Sequence, residues 1–153
     1  MENTLFYDKK TGWDRMSDAE QAAMMEYAEG YKAFLDEAKT EREAAAASEK
    51  LLVEAGYEKF EPKKAYAPGQ KIYFVQEHKA VVAATIGQKP FEDGFRLVIA
   101  HIDSPRMDLK QNPLYEDTDL VYLDTHYYGG IKKYQWPTIP LALHGVVALK
   151  DGT

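Results

Sequence analysis

Hydrophobic positions recur at steps of three and four from Met24 through Tyr27, Tyr31, Phe34 and Leu35 to Ala38. That period makes one face of an α-helix. Ser17 is a good N-cap and Glu20 stands three residues on, as in a capping box, so the helix starts at Ser17 and ends near Lys39. Gly30 lies inside it at a cost of about 1 kcal/mol against alanine, a position where another backbone could approach closely. Thr40 and Glu43 repeat the box and open a second helix. Its expected buried stripe is Ala44, Ala47, Leu51, Leu52 and Ala55, with Gly56 after it as the residue that accepts a left-handed conformation.

The period then changes. Residues 57–69 are a lysine- and proline-rich connector. Two β-rich runs follow, 71–76 and 80–86, joined by Glu77-His78-Lys79, and read as a hairpin with His78 exposed at its tip. After a loop with Pro90 and Gly94 comes FRLVIAHIDSP, residues 95–105. Phe95, Leu97, Val98, Ile99 and Ala100 predict a buried strand. It ends in His101, Asp103 and Ser104, and Pro105 stops it because proline has no N–H to give a ladder. Open α/β sheets bind ligands beyond the carboxyl ends of their strands. Further on, Met107, Leu109 and the run 120–123 alternate in strand fashion. The stretch 125–137 is dense in aromatics around Gly129-Gly130. Leu141–Leu149 reads as a strand and Asp151-Gly152 as a hairpin turn. Ahead of the first helix, Leu5, Phe6, Tyr7 and Trp13 form either an arm tucked on the body or a partly ordered tail.

Composition narrows the function classes. The 153 residues are enough for a domain with its own core, at 45% hydrophobic and 29% charged. The net charge of −6 argues against nucleic-acid or anionic-membrane binding, which needs a basic footprint. With no cysteine, disulfides and thiolate metal sites are excluded, so a metal must be held by His, Asp and Glu. The N-terminus carries no secretory h-region and no apolar run reaches membrane-spanning length. These features predict a cytoplasmic protein.

The candidate chemistry sits at His101 and Asp103. Residues two apart on an extended strand point to one face, so the pair can cooperate. One reading is a metal-binding imidazole whose other ring nitrogen donates to the carboxylate. Zinc suits such ligands. The other is a structural hydrogen-bonded pair, and the residues alone leave both open. A catalytic zinc needs about three protein ligands. His78, His126 and His144 are available, but no second motif has ligand spacing and there is no H-E-x-x-H. Ser104 as a nucleophile lacks the G-x-S-x-G elbow.

Three blocks, AHIDSPRMDLKQNPLYED, THYYGGIKKYQW and PLALHGVVALKDG, resemble the N-terminal part of an M18-family metalloaminopeptidase. This is the aspartyl aminopeptidase family, and the likeness is strongest to its bacterial branch. It spans roughly residues 17–153. It implies an α/β fold: N-terminal helices plus the mixed sheet of a zinc-exopeptidase (phosphorylase/hydrolase-like) domain. Residues 1–106 would belong to that catalytic domain, and residues 107–153 would start an inserted β-rich oligomerisation domain. The resemblance makes His101 a metal ligand and Asp103 the catalytic residue that orients it.

It further implies two zinc ions per complete subunit, peptide substrates with acidic N-terminal residues often preferred, and homo-oligomers. The bridging aspartate, the general-base glutamate and the remaining ligands lie downstream in the family. The chain is thus expected to be an N-terminal portion, inactive alone. His126 and His144 match no family ligand. Lys132 and Lys133 are equally explained as a solvated loop. Two other readings stand beside this one: a metal-free interaction module that pairs strands with other chains, and a related metal-dependent amidohydrolase.

Overall fold

The computed structural model describes Tyr7 and residues 9–152. Leu5 and Phe6 of the expected N-terminal arm lie outside the described residues. Two compact units divide the chain, residues 1–37 and 38–153.

In the first unit, helix α1 (Gly12–Arg15) is capped by Thr11, whose N–H donates to the Asp14 carboxylate at 2.9 Å while its hydroxyl accepts from the Asp14 N–H. Helix α2 (Asp18–Glu37) starts one residue after Ser17. The Ser17 N–H donates to the Glu20 carboxylate at 2.8 Å, so the expected box is present. Along its face Tyr31 and Phe34 stack with ring centroids 6.5 Å apart, and Lys32 pairs with Glu29 at 2.8 Å. No residue of α2 is buried. Nothing among the described residues lies within 4 Å of where a Gly30 Cβ would stand, so no close approach explains that glycine.

The second unit is built on helix α3 (Glu41–Glu54). Thr40 and Glu43 cap it reciprocally, with the Thr40 N–H 2.9 Å from the Glu43 carboxylate. Gly56 follows at φ 79°, as its position predicts. The buried face is rotated from the expected one. Ala44, Ala45 and Ala47 are buried, Ser48, Glu49 and Leu52 are half-buried, and Leu51 is 52% exposed. Small side chains let the helix lie close on a sheet, and that closeness, not leucine packing, sets the rotation.

The sheet is mixed. Strand β1 (Glu58–Lys59) runs parallel to β2 (Lys71–Gln76), and β2 pairs antiparallel with β3 (Ala80–Thr85). Glu77 and His78 both take left-handed φ at the hairpin tip, which matches the right-handed twist of the strands. Tyr73 is buried, and its hydroxyl donates to Glu49 of α3 at 2.9 Å. Apart from Ala38, the buried residues of the unit belong to α3 and β2, and α3 packs on β2 and β3.

A second hairpin joins β4 (Arg106–Asp117) to β5 (Leu120–Tyr128). Thr118 and Asp119, both at positive φ, make its two-residue turn. The register shifts between Leu109 and Leu114. Pro113 lies in that interval, where a residue without an N–H is tolerated. The strands thus run on well past the two alternating segments recognised in the sequence.

Two expectations fail. Residues 95–100 form no strand, and Val98 and Ile99 are 95% and 81% exposed. Residues 141–149 form none either, although the turn after them is present, with the Gly152 N–H donating to the Leu149 carbonyl at 3.1 Å. A strand exists only through its ladder, and among the described residues no neighbour pairs with either run. No helix of the described residues is long and apolar enough to cross a membrane.

Candidate metal corner

His101 and Asp103 lie in irregular chain just before Pro105, and they do meet. The His101 Nδ1 is 2.9 Å from the Asp103 main-chain oxygen and 3.3 Å from its Oδ1. A ring nitrogen facing two acceptors carries a proton, so among the neutral tautomers the geometry selects Nδ1–H, the one that has its lone pair on Nε2. The imidazole side chain is 82% exposed and the Asp103 side chain 34%.

The Asp103 carboxyl is held below the ordinary carboxylate value. The main cause is a hydrogen bond donated by the Tyr128 hydroxyl, followed by its own main-chain N–H and, less, the His101 ring. The same bond pushes the Tyr128 phenol up. Tyr128 closes β5 and pairs in register with Arg106, which opens β4. The Arg106 guanidinium lies over the Tyr128 ring, 4.4 Å from its centroid. Its Nε donates to Asp108 Oδ1 at 2.7 Å, and its Nη1 reaches the Ser104 carbonyl at 3.4 Å and Glu41 Oε2 at 3.8 Å.

The residues present fit one corner of a zinc site. An exposed imidazole with one nitrogen engaged by an aspartate is the kind of donor zinc uses. Among the described residues, no group of three or more His, Asp and Glu could hold a metal ion. His78 stands in the hairpin turn. His126 stacks on Tyr127 with centroids 5.3 Å apart, opposite Asp108 in the ladder. His144 binds Glu43 through Nδ1 at 2.7 Å. The Lys133 ammonium sits over the Tyr127 ring at 3.9 Å.

A cleft of about 800 Å³ opens between the start of α3, the start of β4 and residues 140–146. Arg106 is in its wall; His101 and Asp103 are not. This cleft and the histidine–aspartate pair are therefore neighbours and not one site. Tyr128 and Arg106 were invisible as partners of the pair in the sequence. Their only signal is that the aromatic segment stops at a glycine pair, which implies a close turn.

The comparisons with known proteins agree with one another. Residues 34–153 match the Peptidase_M18 family, described as aminopeptidase I zinc metalloprotease (M18). A probable M18 family aminopeptidase 1 of Clostridium acetobutylicum is 46% identical over 157 residues, taking in 100% of this chain and 34% of that protein. The crystal structure of aminopeptidase I from Borrelia burgdorferi B31 superposes with a TM-score of 0.87 at 40% identity, covering 94% of this chain and 35% of that one. An M18 aminopeptidase structure from Thermotoga maritima gives 0.81 at 39% identity, over 97% and 32%. The chain spans about a third of the length of these relatives. With the family matched over most of its residues and its α/β fold shared with solved members, the chain belongs to the M18 family of zinc metallopeptidases.

Proposed function

We propose that the protein carrying this segment is a zinc-dependent aminopeptidase that removes N-terminal residues from peptides. The observation that carries the reading is the His101 ring held by Asp103 through Nδ1, leaving Nε2 for a metal. In this reading His101 is a ligand and Asp103 fixes its tautomer and raises its basicity. Bound zinc supplies Lewis-acid polarisation of the scissile carbonyl. The residues of this segment hold one corner of a centre of two ions, and the other ligands and the general base come from the remainder of the protein. The segment alone is inactive.

The domain division follows the same reading. Residues 1–106 belong to the catalytic domain and residues 107–153 begin an inserted β-rich domain that makes the homo-oligomer. The start of the β4–β5 hairpin at Arg106 supports that boundary. The exposed runs 95–100 and 141–149 find their ladders in the rest of the assembled enzyme. The protein acts in the cytoplasm and favours acidic N-terminal residues.

The test is His101→Ala in the complete protein. Zinc content measured by atomic absorption should fall, and hydrolysis of aminoacyl substrates should drop by at least about a hundredfold. Wild-type zinc content together with wild-type turnover would sink the assignment. A substrate panel with acidic, basic and apolar N-terminal residues checks the preference.

A further inference from the structure

Arg106 opens β4 and meets four parts of the chain. Its Nε donates to Asp108 Oδ1 at 2.7 Å, two residues on in the same strand. Its guanidinium covers the ring of Tyr128 at the end of β5, 4.4 Å from the centroid. Its Nη1 lies 3.8 Å from Glu41 Oε2 in the first turn of α3, and donates to the Ser104 carbonyl at 3.4 Å. The side chain is only 28% exposed, so it is not a solvated surface cation. Pro105 is held as well. Gly129 follows β5 at φ 73°, and a Cβ there would come to 3.3 Å of Pro105 Cα, Cβ and Cγ. The base of the hairpin thus restrains residues 104–106, directly after Asp103, from both of its strands.

We infer that Arg106 is a positioning residue for the metal corner: by gripping the Ser104 carbonyl it fixes the main chain whose preceding carbonyl, that of Asp103, holds the His101 ring. The inference rests on the reading of His101 as a zinc ligand. The shorter of the two ring contacts is to main chain, 2.9 Å to the Asp103 carbonyl oxygen against 3.3 Å to its Oδ1. The backbone at 103–104 therefore aims the ring at least as much as the carboxylate does. Only the φ and ψ of Ser104 separate the Asp103 carbonyl from the one that Arg106 grips, and a residue before proline is confined to extended conformations. Pro105 fixes the φ after it. With so few soft dihedrals between them, a grip on one carbonyl carries over to the other before any metal arrives. The shape of the guanidinium matters more than its charge. Asp108 and the Tyr128 ring set its plane, and that plane aims Nη1 at Ser104; an ammonium has no plane to set. Direct partners of a metal-bound histidine typically contribute about 10- to 100-fold in metal affinity, and about three- to tenfold is expected one bond further out.

Arg106→Met and Arg106→Lys in the complete protein are the test. The first removes the guanidinium, and the second keeps the charge but not the fork. Zinc affinity is measured by chelator competition, kcat and KM with one aminoacyl substrate, and the visible spectrum after cobalt substitution. The expected result for Arg106→Met is an about three- to tenfold weaker zinc Kd, a kcat lowered by a similar factor with KM within about twofold, and a changed cobalt spectrum. Arg106→Lys should stay within about twofold of Arg106→Met in zinc Kd, because one ammonium does not reproduce the planar fork. If Arg106→Met leaves zinc affinity and spectrum as in wild type while His101→Ala weakens binding, the inference is overturned and the ligand assignment stands. A lower Tm with unchanged zinc affinity also overturns it, because Arg106 then only braces the hairpin. Wild-type zinc affinity in Arg106→Lys beside a loss in Arg106→Met overturns it too, since charge alone would suffice. If His101→Ala itself retains wild-type zinc affinity, the underlying reading is what fails.

Discussion

Glu43 and His144 are 101 positions apart in the chain and meet at 2.7 Å, carboxylate oxygen to ring Nδ1. Glu43 also closes the capping box of α3. One carboxylate thus ties the start of the helix to the segment ahead of the final turn. The His144 ring is the largest cause that lowers the Glu43 carboxyl below its ordinary value near 4.5, with the Thr40 hydrogen bonds adding to it.

That relationship gives a pH dependence with a definite sign. A carboxyl whose pKa is lower in the folded state stabilises the fold above its unfolded value and loses that contribution as pH falls through the folded one. Wild-type Tm should therefore drop between about pH 5 and pH 3, and Glu43→Gln should flatten that part of the curve. Both side chains are about a third exposed, so the difference is small and is read best at low salt. Parallel curves for the two proteins would count against the tie.

The buried alanine face of α3 predicts intolerance to volume. Ala45 is 1% exposed, and Ala45→Leu should overpack the helix against β2 and β3, costing about 1–3 kcal/mol. Leu51→Ala, on the outward side, should cost well under 1 kcal/mol by comparison. Urea denaturation with equal m-values in both variants makes the comparison.

Thr40→Ala removes the hydroxyl that accepts from the Glu43 N–H. The expected loss is about 1 kcal/mol. Thr40→Ser should restore most of it, and thermal melts of the three proteins decide the point.

Gly30 sits in the interior of α2 with no atom of the described residues near its missing Cβ. Gly30→Ala should raise helix stability by about 1 kcal/mol. A loss instead of a gain would mean that a close contact occupies this position.

Legibility in the sequence followed distance along the chain. The caps at Ser17 and Thr40 depend on residues three apart, and both were readable. The first hairpin was equally readable, because its strands flank a short polar turn. Residues 58–59 were not, since two residues carry no period and their partner is β2. Residues 95–100 and 141–149 failed for the opposite reason: their side chains are strand-like, but a ladder needs a second segment. At the site, the proximity of His101 and Asp103 was legible from their spacing. The Tyr128 and Arg106 side chains were not, because the hairpin that pairs them shows in the sequence only as two alternating fragments.

The second hairpin has a mechanical side. β4 carries twelve residues, which at about 3.4 Å each makes an arm of roughly 40 Å, shortened where the bulge bends it. Its fulcrum is the Arg106–Tyr128 pair, beside Asp103. A rotation of about 5° at that fulcrum displaces the Thr118–Asp119 tip by roughly 3.5 Å on an arm of that length. Read in reverse, whatever grips the tip has a long mechanical advantage over the carboxylate at the base.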